Sequence, residues 1–181
     1  MKGIVFTEFL DMVADRWSED LLDDIIDAAN LPTSGAYTSV GTYDISELVS
    51  LLTQLSSRTD HTVPELLEIY GRHLFGVFGK NFPEFFEEDS DTLHFLETVD
   101  EVIHVEVRKL YPDAALPRFS TQRHEPHRLE MIYSSPRCLG PLALGLMHGC
   151  ASHFGETIQV GTEDLSGGAG TRLRFDVKRV H

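Results

Sequence analysis

The chain has 181 residues, 41% of them hydrophobic, which predicts one soluble globular domain rather than a disordered segment. Its 29 acidic and 15 basic side chains give a formal net charge of −14, with −17 in residues 1–106 and +3 in residues 107–181. An acidic chain of this kind repels a phosphate backbone and has no apolar run of the ~20 residues that span a bilayer, so neither nucleic acid nor membrane is expected as a partner.

The first 62 residues predict three helices. Apolar side chains recur at helical spacing over residues 5–13, and a second amphipathic helix follows the Ser-Glu-Asp sequence at residues 18–20, which is typical of a helix N-terminus. A connector that contains proline and glycine spans residues 31–42. A third helix is expected to begin at Asp44, because leucines follow it at helical intervals.

Helices also dominate the next 50 residues. The Thr-Val-Pro-Glu sequence at residues 62–65 is typical of a helix start with proline in its first turn. Pro83 interrupts the aromatic stretch that follows. A long helix is then expected over residues 91–111, capped by Ser90 and ended by Pro112.

Strand periodicity appears in the last third of the chain. Alternating apolar side chains predict strands around residues 129–133 and 173–177, with a partner strand around residues 158–160. The glycine-rich sequence at residues 166–170 suits a hairpin between the last two strands, and helical spacing returns over residues 139–150. The pattern predicts an α+β fold, in which an N-terminal helical half is followed by a small antiparallel sheet with a packed helix.

Most sequence signatures of catalysis are missing. The chain contains no phosphate-binding loop, no dinucleotide fingerprint, and no G-x-S-x-G or H-E-x-x-H sequence, so no enzyme class is indicated. His148, Cys150 and His153 lie close together in sequence, but they lack a good fourth metal ligand. Surface histidines are the better interpretation of this cluster.

Two features carry more chemical information. His104 lies in the predicted long helix and borders its apolar stripe; taken alone, it is more often a histidine satisfied by a backbone or carboxylate partner than a metal ligand. If strand periodicity continues through residues 133–137, Tyr133, Ser135 and Arg137 project from one face and form a clamp for a carboxylate. The alternative is a strand end whose polar groups stabilise a turn.

Together these features resemble the H-NOX domain, the haem nitric oxide/oxygen binding family related to the haem domain of soluble guanylate cyclase. The resemblance is carried by His104 in a long helix, Pro117 shortly after it, and Tyr-x-Ser-x-Arg at residues 133–137. The start Met-Lys-Gly-Ile is similar to that of bacterial members. The resemblance implies one domain over residues 1–181, with haem b (iron protoporphyrin IX) buried between a distal part, about residues 1–62, and a proximal part, about residues 63–181.

The resemblance also implies a role for each matching residue. His104 would be the proximal ligand to the haem iron, Tyr133, Ser135 and Arg137 would hold the haem propionates, and Pro117 would press on the porphyrin and distort it. Six further positions match residues that line the haem pocket in this family: Val5, Phe9, Leu74, Phe78, Leu142 and Leu146.

The distal positions imply which gas binds. Oxygen-binding members of the family have a distal tyrosine, and the matching residue here is Leu142, while the supporting positions hold Phe9 and Leu74. These distal positions supply no hydrogen-bond donor. The resemblance therefore implies a sensor that binds NO and CO at ferrous haem and excludes O₂. Tyr70 and His73 are close enough in sequence to be alternative donors.

Signalling would follow from release of His104 when NO binds, because the helix that carries it would then be free to move. The resemblance implies a separate partner, either a histidine kinase or a cyclic-di-GMP enzyme (diguanylate cyclase or phosphodiesterase). Two cysteines and an acidic residue as early as Glu8 favour a cytoplasmic protein without a signal peptide.

The competing hypotheses are an enzyme, such as a haem peroxidase or a hydrolase that uses Ser135, and a haem-free interaction module with a structural His104.

Overall fold

A computed structural model describes residues 1–86 and 90–180 of the chain. The helices in these ranges are α1 (Ile4–Arg16), α2 (Glu19–Ala28), α3 (Ile45–Ser56), α4 (Val63–Asn81), α5 (Thr92–Thr98), α6 (His104–Leu110) and α7 (Gly140–His153). The strands are β1 (Arg118–Glu125), β2 (Arg128–Ser134), β3 (Thr157–Asp164) and β4 (Arg172–Val180). The strands form one antiparallel sheet in the order β1-β2-β4-β3, so the predicted α+β fold is confirmed. In the described ranges, no helix combines the length and apolar character that crossing a membrane requires.

The predicted helix starts are set by side-chain caps. The Ser18 hydroxyl accepts a hydrogen bond from the backbone N–H of Leu21, and the Asp44 carboxylate accepts one from the N–H of Ser46. Thr62 and Glu65 form a reciprocal capping box at the start of α4. These contacts satisfy backbone groups that the first turn of a helix cannot satisfy itself, which explains why short local sequences located these boundaries.

Two hydrophobic cores divide the molecule. The first is formed by α1, α2, α3 and the first half of α4. The second lies between the sheet and the helices α5 and α7. The first core continues past residue 62: it includes α4 as far as Leu74, and also Leu142 of α7, so both α4 and α7 contribute to the two cores. A cavity lies where the two cores meet, and its walls come from both.

Helices α4 and α7 cross with their backbones in close approach. A methyl group added to Gly71 would overlap the carbonyl oxygen of Leu142, and one added to Gly145 would overlap that of Glu68. The two glycines therefore let the helices pack more closely than any larger residue permits.

The long helix predicted over residues 91–111 is interrupted. Helix α5 ends at Thr98, residues Val99–Ile103 form a π-helical turn, and α6 begins at His104. Asp91, rather than Ser90, caps α5 through the backbone N–H of His94. The π-helical turn carries a carboxylate, Asp100, that is hydrogen-bonded outside the helix, and apolar periodicity does not encode such a contact.

Strand β1 is a fourth strand that the sequence pattern did not predict. Its residues are mainly polar and exposed, and it lies at an edge of the sheet. Only two of its eight residues are partly buried, so β1 lacks the apolar alternation that identified the other strands. Its register sets Phe119 opposite Tyr133.

Candidate functional site

The cavity between the two cores has a volume of about 280 Å³, near the lower end of the range for small-molecule sites. Its walls are almost entirely apolar. Of the eleven residues that the family resemblance assigned to the haem site, ten line it: Val5, Leu74, Phe78, His104, Pro117, Tyr133, Ser135, Arg137, Leu142 and Leu146. Residues up to 141 positions apart in the sequence therefore meet at one site.

Phe9 is the residue that does not join the cavity lining. Its side chain is fully buried in the first core, where the ring packs edge-on against Tyr70 with 5.3 Å between ring centroids. Phe9 lies one turn of α1 beyond Val5, which does face the cavity. Helical spacing placed both residues on the buried face of α1, but it could not show where the cavity ends along that face.

His104 is buried at the first position of α6 and faces the cavity. Its Nδ1 lies 3.3 Å from a carboxylate oxygen of Asp100, and in the described residues its Nε2 has no hydrogen-bond partner. Burial lowers the pKa of His104 below its usual value, and Asp100 opposes this shift only in part. The imidazole is therefore neutral near pH 7, which is the form that binds a metal.

Asp100 is a functional candidate that the sequence analysis did not single out. The same carboxylate oxygen that pairs with His104 also accepts a hydrogen bond from the backbone N–H of Phe119, at 3.1 Å. Asp100 thus fixes the ring of His104 relative to the sheet. The available signal was its position four residues before His104, which places the two side chains on one helix face.

The three polar residues of the motif at 133–137 also face the cavity, and each has a local partner. The Tyr133 hydroxyl accepts from the backbone N–H of Leu139 at 3.0 Å, and the Ser135 hydroxyl accepts from that of Arg137 at 3.2 Å. Arg137 Nη1 donates to the carbonyl oxygen of Ala115 at 2.5 Å. Both hydroxyls act as acceptors here and retain a hydrogen to donate, and the guanidinium has further N–H groups, so this donor set suits carboxylates.

The alternative donors near the distal wall do not face the cavity. Tyr70 is fully buried and its hydroxyl donates to the backbone carbonyl of Val5 at 2.5 Å. His73 Nε2 lies 3.8 Å from a carboxylate oxygen of Glu8, and His73 is not among the described residues that line the cavity. Among the described residues, Leu74, Leu142 and the apolar side chains beside them present no donor. Lys2 also lines the cavity, but its ammonium donates to Thr42 and Asp113.

The cluster of His148, Cys150 and His153 does not converge. Cys150 is buried and points toward the backbone of Thr92, His153 packs against Phe86, and His148 is half-buried, with Nε2 4.0 Å from Glu68 of α4. Within residues 1–86 and 90–180, no group of three or more His, Cys, Asp or Glu side chains is arranged to hold a metal ion.

A family model described as Haem-NO-binding matches residues 2–162 of the chain. The chain belongs to the H-NOX family. The resemblance seen in the sequence is therefore confirmed, and the family is one of haem-binding gas-sensor domains.

Solved H-NOX structures share the whole fold. The unliganded Fe(II) H-NOX protein from K. algicida is 39% identical, with a TM-score of 0.94 over 100% of this chain and 97% of that chain. The H-NOX protein from Shewanella woodyi, solved in the Fe(II)CO state with IWP-051 bound, is 34% identical, with a TM-score of 0.84 over 99% and 95%. The H-NOX protein from S. oneidensis in the Fe(II)NO state is 26% identical, with a TM-score of 0.91 over 100% of both chains. Among curated proteins, none matches the chain.

Proposed function

We propose that the protein is a haem-based sensor that binds NO and CO at ferrous haem b and excludes O₂. The observation that carries the proposal is the arrangement of His104 and the motif at 133–137 around one apolar cavity. Similar proteins were solved with Fe(II)NO and with Fe(II)CO, which supports the choice of ligands. When bound, the haem supplies the ferrous iron at which these gases bind.

The residues present fit this cofactor. His104 provides a neutral imidazole with one free ring nitrogen, and Asp100 holds the other, as carboxylates commonly do for metal-ligating histidines. Tyr133, Ser135 and Arg137 would bind the two propionate carboxylates. Five apolar residues would surround the porphyrin: Val5, Leu74, Phe78, Leu142 and Leu146. Pro117, whose rigid ring also lines the cavity, would press on the porphyrin face.

Gas selectivity follows from the side chains of the distal wall. Bound O₂ carries partial negative charge and needs a hydrogen-bond donor, whereas NO and CO bind ferrous iron without one. The Tyr70 hydroxyl donates to the carbonyl of Val5, and Leu142, which by resemblance matches the distal tyrosine of oxygen-binding members, lines the cavity with an apolar side chain. The wall therefore favours NO and CO over O₂.

Helix α6 is suited to carry the signal. His104 is the only buried residue among the seven of this helix, so the attachment of α6 depends largely on that side chain. Release of His104 from a metal would let α6 move, which is a two-state switch biased by the gas. A histidine kinase or a cyclic-di-GMP enzyme in the cytoplasm would be the protein partner that receives the change.

The test is visible absorption spectroscopy of the reduced, haem-loaded protein without gas, in air and with NO. We expect a five-coordinate ferrous spectrum that air does not change on brief exposure and that NO converts to a five-coordinate nitrosyl spectrum. His104→Gly should lose the proximal-ligand spectrum and regain it with added imidazole, whereas His94→Gly, at an exposed position of α5, should behave like the wild type. A stable oxy spectrum, or failure to take up haem, would overturn the proposal.

A further inference from the structure

Three side chains join the N-terminal part of the molecule to the segment that follows α6. Lys2 Nζ donates to Thr42 Oγ1 at 2.9 Å and to Asp113 Oδ1 at 3.1 Å, and Thr42 Oγ1 donates to Asp113 Oδ2 at 2.9 Å. We call Lys2, Thr42 and Asp113 the clasp. The Lys2 side chain is 13% exposed and its ammonium lies 5.4 Å from the ring centroid of Tyr111, so the clasp is shielded from solvent on the lysine side.

On the N-terminal side, the clasp is part of a rigid unit. Lys2 and Thr42 form an isolated antiparallel bridge, in which Gly3 N donates to Gly41 O at 2.8 Å and Tyr43 N donates to Met1 O at 2.9 Å. Helix α1 begins two residues after Lys2. A force on the lysine ammonium therefore acts on the start of α1.

On the other side, the clasp is linked to His104 by a continuous hydrogen-bonded segment. Helix α6 runs from His104 to Leu110, Tyr111 N donates to Val107 O at 2.8 Å, and Ala114 N donates to Tyr111 O at 2.9 Å. Asp113 lies within this last turn. Among the described residues, the side-chain hydrogen bonds of α6 itself are one to Asp100, which in turn accepts from the backbone of Phe119 in β1, and one between Lys109 and Glu106. The clasp is therefore the side-chain link from this segment to the N-terminal part.

We infer that the clasp transmits displacement of α6 to the N-terminal helices, so that Lys2 and Asp113 are positioning residues of the gas response. The inference rests on the proposed function, because release of His104 is what would move α6. Movement of α6 pulls Asp113, and the two donors that hold its carboxylate belong to the N-terminal unit. Helix α1 then shifts with α6, although the two helices are separated by the cavity.

The test is hydrogen–deuterium exchange of the ferrous, haem-loaded protein with and without NO, read by mass spectrometry on peptides from α6 and α1. Lys2→Met keeps the aliphatic stem and removes the ammonium donor, whereas Asp113→Ala removes both acceptor oxygens of the clasp. Because Asp113 is 60% exposed, the pair contributes little to stability and both variants should fold. Lys109→Met, which breaks an exposed ion pair inside α6, is the matched control.

We expect NO to change exchange in both α6 and α1 of the wild type and of Lys109→Met. In Asp113→Ala and in the double variant, the change in α6 should persist while the change in α1 is lost. Lys2→Met keeps the bond from Thr42 to Asp113 and should lose only part of the change in α1. If the response of α1 to NO survives in Asp113→Ala or in the double variant, the inference about the clasp is wrong. The same holds if α6 responds in the wild type but α1 does not. A wild type in which α6 does not respond overturns the proposed function as well.

Discussion

The carboxylate of Asp100 joins His104 to the edge of the sheet: one oxygen lies 3.3 Å from Nδ1 of His104 and 3.1 Å from the backbone nitrogen of Phe119. The carboxylate therefore orients the imidazole, and under the proposed function it would also strengthen His104 as a ligand, because a carboxylate partner raises the basicity of the other ring nitrogen. Positioning of this kind predicts an effect on haem retention rather than on folding.

Asp100→Asn should weaken haem retention by about 10-fold to 100-fold, the usual effect of losing such a partner of a metal ligand. The asparagine oxygen can still accept the hydrogen bond from Phe119, so the fold should be preserved. The measurement is the rate of haem transfer to an excess of a haem-scavenging protein. Glu101→Gln, at the exposed neighbouring position, is the control, and equal rates for both variants would contradict the role of Asp100.

Leu142→Tyr should convert the protein into one that forms a stable oxy complex. The substitution introduces a phenol O–H at the distal wall, where the described side chains supply no donor. The measurement is the absorption spectrum of the ferrous protein in air. Leu142→Phe adds nearly the same volume without the hydroxyl, so an oxy complex in the phenylalanine variant would show that a donor is not what decides selectivity.

Gly71→Ala and Gly145→Ala should each destabilise the protein by about 1–3 kcal/mol, the usual cost of overpacking a close contact. Each added methyl would overlap a backbone carbonyl of the facing helix. The free energy of unfolding in urea is the quantity to measure. Gly76→Ala, where nothing lies within 4 Å of the added atom, should instead stabilise α4 by up to about 1 kcal/mol. A loss of stability in that control would mean that close packing is not the cause.

Arg123 and Glu97 predict a pH dependence of stability. Arg123 donates two hydrogen bonds to the Glu97 carboxylate, at 2.9 and 2.7 Å, and these lower the pKa of Glu97 below its ordinary value of 4.5. Since the folded-state pKa is depressed, the stabilisation is present above pH 4.5 and is lost as the pH falls through the folded-state pKa. Arg123→Met should cost about 1 kcal/mol at pH 7 and progressively less in acid.

The control for that pair is Arg118→Met on the same strand, since Arg118 is exposed and forms no ion pair within the described residues. Urea unfolding at several pH values between 7 and 3 gives the comparison. A difference between Arg123→Met and the wild type that stays constant down to pH 3 would show that the lost stability comes from packing rather than from the ion pair.

Local sequence rules predicted those parts of the fold that depend on local interactions. Ser18, Asp44 and Thr62 marked helix starts because their side chains satisfy backbone groups within the same turn. The edge strand β1 was missed, because its stability comes from pairing with β2 rather than from its own apolar pattern. The π-helical turn before His104 was missed for a related reason: Asp100 in that turn bonds a residue 19 positions away.

The same distinction applies to the site. The family motif identified residues that meet at the cavity although they are far apart in sequence, and apolar periodicity alone would not have brought His104 and Arg137 together. Periodicity correctly assigned Phe9 to the buried face of α1 but could not separate residues of the core from residues of the cavity lining. That separation depends on the placement of α1 against α4, which is a tertiary property.

The close crossing of α4 and α7 makes the two sides of the cavity mechanically unequal. Leu74 belongs to α4 and Leu142 to α7, and glycines at the crossing bring the two backbones into direct contact, without side chains that could rearrange between them. Helices α4 and α7 therefore form a single rigidly packed wall of the cavity. The opposite wall is formed by α6 and the segment after it, which are held at a few points. Displacement of His104 would therefore shift α6 and leave the wall formed by α4 and α7 in place.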